Sequence, residues 1–309
     1  MRPLFSAPSD VLLRNLTART SVVVAAILIL AKLIAFFKTG SIALLSSLID
    51  SGVDLLASII TVYGVAAASR PPDKDHRFGH GKAEALAAIA QAAFIVGTSI
   101  LLSIEAIQRF VSPQPLRNLE TGYAVMGLAI FLTALLLALQ SYTVARTKSL
   151  AIASDRLHYI GDILINLSVI ATLYFQAQLH VDWIDPVFAL FIAAAMVWGA
   201  LRIGRKALDV LMDAELPEKN RKDILKRALG VAGVWGIHDL RTRFDGEHCF
   251  IEMHVEMDTT IDLKAAQNIS EEVLKAVHEK YPAADVQIHQ DPAGLQEERL
   301  DNLIEKNDM

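Results

Sequence analysis

Six long apolar stretches, near residues 20–37, 42–68, 84–110, 120–144, 151–177 and 184–203, leave this chain few ways to fold. An α-helix needs roughly 20 predominantly apolar residues to cross about 30 Å of hydrocarbon, so each stretch predicts a transmembrane helix. With hydrophobic residues at 53% of 309, the chain is too apolar for a soluble protein built around ordinary cores. Helix breakers fall between the stretches, at Thr39-Gly40, Pro71-Pro72, Ser112 to Pro115 and Asp182 to Pro186. Six spans put both ends on one side. Arg14, Arg19, Arg70, Lys74, Arg77, Lys82, Arg146, Lys148, Arg202, Arg205 and Lys206 flank the spans on that side, against Lys38, Arg109 and Arg117 on the other. The positive-inside rule then predicts a multi-pass protein of the cytoplasmic (inner) membrane with both termini cytoplasmic. Met1 to Arg19 carries prolines, Asp10 and three arginines, which predicts no cleaved signal peptide.

Charges stand where the bilayer disfavours them. The second stretch places Asp50 and Asp54 near its middle, and the fifth places His158 and Asp162 the same four residues apart. An ionised side chain at that depth costs roughly 2.5–3.5 kcal/mol on insertion scales, so something must offset it. A spacing of four puts each pair on one helical face, and two such helices make a four-ligand cage from Asp50, Asp54, His158 and Asp162. Carboxylate oxygen with neutral imidazole suits Zn²⁺ and accepts Fe²⁺, Cd²⁺ or Co²⁺, whereas Cu⁺ prefers thiolates and Mg²⁺ keeps waters and oxygens. Cys249 is the single cysteine, which excludes a multi-thiolate cage within one chain. Other readings stay open: internal pairing of these groups, for example with Lys32, the lining of a water-filled cavity, or an intramembrane aspartyl protease built on Gly161-Asp162, against which Tyr159 stands where that motif has a glycine.

Between the second and third stretches, Asp73, His76 and His80 lie within one short loop, a spacing that can close around a metal. The same loop can equally be solvated or bind lipid phosphate. From Leu216 the pattern becomes that of a soluble domain. Pro217 to Val231 predicts an amphipathic helix, Gly236 to Gly246 a strand ending in an Asp245-Gly246 turn, and Phe250 to Asp258 a strand by its strict alternation. A helix over Lys264 to His278 and a strand over Asp285 to Pro292 complete an αββαβ order, an α+β (ferredoxin-like, metallochaperone-like) unit. His238, His254, His289 and Asp291 fall on strands able to neighbour one another, a candidate cytoplasmic metal site. Three parts follow: a membrane domain over 1–211, a cytoplasmic domain over 212–292, and a polar tail over 293–309 that predicts a frayed helix. A net charge of −5, with the basic residues at span ends, gives no nucleic-acid footprint.

The pairs Asp50/Asp54 and His158/Asp162, the segment His76 to Glu84, and His289 to Pro292 together resemble the cation diffusion facilitator family, in its branch of bacterial ferrous-iron and zinc efflux pumps. The resemblance runs from about Leu13 to Pro292. It implies a non-enzymatic homodimer in the lipid bilayer, joined through membrane and cytoplasmic parts. This dimer would export Zn²⁺, Fe²⁺ or Cd²⁺ in exchange for protons by alternating access, with no organic cofactor. It assigns Asp50, Asp54, His158 and Asp162 to the transport site and Asp73, His76 and His80 to a loop site. His238, His254, His289 and Asp291 go to a binuclear site of structural or regulatory metal. Lys82 and Asp213 match the family's interlock, and Leu157 its hydrophobic gate. Gln267 departs from the pattern, standing where relatives often carry a histidine, which leaves the second cytoplasmic metal open. Because metal needs deprotonated ligands, protons and metal compete for one cage, and antiport needs no further device. The rival class is a membrane-embedded metal sensor or scaffold through which nothing passes.

Overall fold

The structure is a computed structural model that describes residues 8–39, 42–111, 122–179, 183–295 and 298–307. The chain forms two compact units, one of Pro8–Leu208 and a second that begins at Asp209. Among the described residues the first unit consists of long helices: α1 (Pro8–Thr39), α2 (Ile42–Ala68), α3 (Lys82–Val111), α4 (Gly122–Thr147), α5 (Leu150–Leu179) and α6 (Ile184–Leu211). Proline enters them only in a first turn, at Pro8 and Pro186, where its missing N–H and fixed φ cost nothing. Five of the helices are long and apolar enough to cross a membrane by length and composition. The remaining one, α5, carries Asp155, Arg156 and Asp162 in its N-terminal half. The first and sixth helices outrun the predicted stretches, α1 starting at Pro8 and α6 running on to Leu211. Apolarity marks the depth of hydrocarbon and not the end of the hydrogen-bonded helix. The expected breakers at Gly40, Ser112 to Pro115 and Asp182 lie outside the described residues.

Large apolar side chains such as Phe37, Leu101, Phe131, Phe191 and Trp198 point outward, as lipid-facing side chains do. Small residues let the helices approach one another. A methyl group on Gly64 of α2 would fall onto the Ala87 Cβ of α3, and one on Gly161 of α5 would lie 2.7 Å from the Met196 Cε of α6. Several polar groups in the interior find partners within the unit, as the scarcity of water at that depth favours. Arg14 and Glu84, both buried, form an ion pair at 3.0 Å. The Gln140 amide donates to Asp155 Oδ2 at 2.8 Å and to Ser21 Oγ at 3.1 Å. Ser58 Oγ donates to Asp155 Oδ1 at 3.4 Å and lies 2.9 Å from the Tyr159 hydroxyl. One polar nest therefore joins α1, α2, α4 and α5.

The second unit runs α7 (Glu218–Leu229), β1 (Gly236–Phe244), β2 (Cys249–Met257), α8 (Leu263–His278), β3 (Asp285–Pro292) and α9 (Leu300–Asn307). The strands form a sheet in the order β1-β2-β3, antiparallel between β1 and β2 and parallel between β2 and β3. That parallel pairing requires a crossover, and α8 supplies it. Alternation along β2 sends Ile251, Met253, Val255 and Met257 into the core with Ile224 and Ala228 of α7 and Val273 and Val277 of α8. It sends Glu252, His254 and Glu256 to the other face. Asp262 caps α8 by accepting the Ala265 amide at 2.7 Å. The αββαβ order expected from the periodicity is the order observed.

Candidate metal centres

Within the helical unit, Asp54 of α2 and His158 and Asp162 of α5 each offer a donor atom within 4.8 Å of the others. His158 is buried, with Nε2 2.8 Å from Asp54 Oδ1 and 4.0 Å from Asp162 Oδ2. Donors about 2.0 Å from a tetrahedral zinc stand roughly 3.3 Å apart, and these two separations bracket that value. With a proton on Nε2 the ring donates to Asp54; with Nε2 bare, the same atoms turn lone pairs toward a cation. Asp50, one turn away along α2, is exposed and lies outside this group, so three of the four expected ligands are brought together. Lys32 Nζ donates to Ser51 Oγ at 2.6 Å.

The loop between α2 and α3 gathers the second set. Asp73, His76 and His80 present donors within 4.8 Å of one another. The Asp73 carboxylate oxygens lie 3.4 Å from His76 Nδ1 and 3.3 Å from His80 Nε2. Asp73 also accepts the backbone amides of His76 and Asp75, at 2.7 and 2.9 Å. Those amides, the His76 one foremost, hold its carboxyl below the usual carboxylate range. The loop is thus folded around the side chain that would ligate.

In the second unit the sheet aligns the third set. Pairing sets His238 of β1 opposite His254 of β2, and His254 opposite His289 of β3, so three histidines form one row across the strands. Asp291, two residues further along β3, is buried beneath the row. Its Oδ2 lies 2.7 Å from His254 Nδ1 and 3.5 Å from His238 Nε2, and its Oδ1 lies 3.3 Å from His289 Nε2. His238, His254 and Asp291 form a group within 4.8 Å, with the exposed His289 at its edge. Gln267 is exposed on α8, bonded to Glu271 and Gln290. Gln290 alternates away from the face that carries His289 and Asp291.

Of the other expected residues, Leu157 packs among Ala92, Ile95, Ile192, Met196 and Ala200, and its methyls close on Gly199 of α6. Lys82 opens α3. Asp213, in a left-handed conformation with φ 54°, pairs with Arg243 at 3.5 Å. Two features escaped the sequence reading. Asp155 stands on the same face of α5 as His158 and Asp162, and an aspartate in an apolar stretch was the available signal. Asp239 and Glu256 approach the two ring nitrogens of His238, at 3.7 and 3.8 Å, an arrangement no local spacing announces.

Comparison with known proteins covers both units. The family described as "Cation efflux transmembrane domain" matches residues 18–212, and that described as "Cation efflux protein, cytoplasmic domain" matches 216–293. The chain is 38% identical over 283 residues to the cation-efflux pump FieF of Yersinia enterocolitica, covering 90% of this chain and 92% of the relative. It is 39% identical to the pump of the same name from Serratia proteamaculans, with the same coverage. Among solved structures, a MamM-CTD chain at 25% identity covers 25% of this chain and 95% of its own, with a TM-score of 0.24.

Proposed function

The chain belongs to the cation efflux, or cation diffusion facilitator, family, and on that premise we propose that it exports a divalent transition metal, Zn²⁺ or Fe²⁺ with Cd²⁺ fitting the same donors, by exchange for protons. It is a multi-pass membrane protein. The observation that carries the reading is the convergence of Asp54, His158 and Asp162 from α2 and α5, within long and largely apolar helices. Asp50 joins them as the fourth ligand when the site is loaded. The metal enters when these groups are deprotonated; protons arriving on the far side reclaim His158 and the aspartates and displace it. Alternation of access follows from rocking of the helical unit around a fixed site. Leu157, packed against α6, acts as the gate, and Lys82 with Asp213 acts as the interlock.

The loop set Asp73, His76 and His80 serves as a second metal site on the cytoplasmic side. The cytoplasmic domain dimerises the protein and holds a structural or regulatory metal on His238, His254, His289 and Asp291. The donors fit such an ion: two imidazoles and a buried carboxylate within 4.8 Å of one another. The location proposed is the cytoplasmic membrane, termini inward, and the activity is transport and not catalysis.

Metal uptake into everted vesicles under an imposed pH gradient, with Zn²⁺, Fe²⁺, Cd²⁺ and Mn²⁺ compared, tests the reading. Proton-coupled uptake by wild type that disappears in Asp54→Ala and Asp162→Ala, both still folded, is the expected result. Full transport by either variant overturns the site, and binding without flux moves the function to sensing.

A further inference from the structure

The polar tail does not hang free of the cytoplasmic domain. Pairing of β1 with β2 breaks register between His238 and Arg241, and Asp239 in that break takes φ 51°, a conformation L-residues avoid. Residues from the tail hold it there. The Asp239 amide donates to Asp301 Oδ2 at 2.9 Å, and the Asp301 amide donates back to Asp239 Oδ1 at 3.0 Å. Two residues before Asp301, the Arg299 guanidinium donates to Glu256. The two carboxylates gripped in this way are those facing the ring nitrogens of His238. The matched cytoplasmic-domain family ends at residue 293, so the grip comes from chain beyond it.

We propose that α9, with Arg299 just before it, forms a strap that positions His238, so that Arg299 and Asp301 set the metal affinity of the His238–His254–Asp291 cluster without touching the metal. The inference rests on the proposed reading of that cluster as a metal site. Its physical basis is the left-handed Asp239. Released from Asp301, that backbone relaxes toward an ordinary φ and carries the preceding residue, His238, away from Asp291. Released from Arg299, Glu256 is free to swing onto the His238 ring. Coupling is reciprocal: if the strap favours metal, metal must tighten the strap. Groups that orient a metal-ligating histidine commonly change affinity by about 10–100-fold when lost.

Hydrogen exchange on the full chain in detergent, read peptide by peptide during a Zn²⁺ titration, tests this. The concentration at which zinc protects the β1–β2 peptides should rise by about tenfold or more in Asp301→Ala and in a chain ending at Pro292. It should stay near wild type in Asp301→Asn, whose side-chain oxygen still accepts the Asp239 amide. Zinc should also slow exchange in the peptide that holds Asp301. An unchanged midpoint in the truncated chain overturns the strap. Zinc-dependent protection that survives in His238→Ala overturns the metal site itself, and the strap with it. Slow exchange of the β2 core in zinc-free variants checks that the domain still folds.

Discussion

Asp245 turns the β1–β2 hairpin with its own carboxylate, accepting the amides of Glu247 and His248 at 2.8 and 2.7 Å. Burial alone would push its pKa up, but the His248 side chain and the two amides outweigh burial and hold it below the usual carboxylate range. A depressed folded pKa contributes stability that is present above the unfolded value of about 3.9 and lost as pH falls through the folded one. Asp245→Ala should therefore cost the domain about 1–2 kcal/mol near neutrality. The gap from wild type should close below about pH 4, as calorimetry of the full chain can follow; a constant gap would refute the assignment. Neighbouring Cys249 is buried, and burial pushes its thiol up to about 12. At this scale Asp54, His158 and Asp162 were legible because carboxylates in apolar stretches demand a reason. The placement of Asp50 outside their group was not, because a spacing of four fixes a shared face and says nothing of which side chain turns inward.

Helix contacts in the first unit depend on missing side chains. Gly64→Ala would drive a methyl group into Ala87 and should cost the α2–α3 contact roughly 1–3 kcal/mol. Gly97→Ala, on α3 with nothing within 4 Å, should leave thermal stability in detergent unchanged or slightly raised. Equal effects at the two positions would refute the packing argument. The elements themselves were largely readable. Strict alternation announced β2, and Pro282 with the apolar pattern after it announced β3. The break in β1 after His238 was hidden, since it is held by Asp301, sixty-two residues away, and periodicity reports only neighbours. For the same reason the tail looked frayed: α9 is short, and its anchors are long-range.

For the whole molecule, the excess of lysine and arginine at one set of span ends makes orientation testable. Protease added to everted vesicles should remove the C-terminal domain, and protease added to right-side-out cells should not; the reverse pattern would invert the proposed direction of transport. The nest of Ser21, Ser58, Gln140, Asp155 and Tyr159 also bears on how the protein is made. Its acceptor, Asp155, lies on α5, whereas the donors Ser58 and Gln140 lie on α2 and α4. On a growing chain the donors are therefore synthesised first and wait in the bilayer for the carboxyl group that α5 brings. Left alone, α5 is a poor candidate for insertion, with Asp155, Arg156 and Asp162 in its N-terminal half and a cost of roughly 2.5–3.5 kcal/mol for a charged side chain at mid-depth. Delivered to helices already holding its partners, it becomes the piece that locks the bundle, and nascent chains halted before α5 should be the ones that quality-control proteases find.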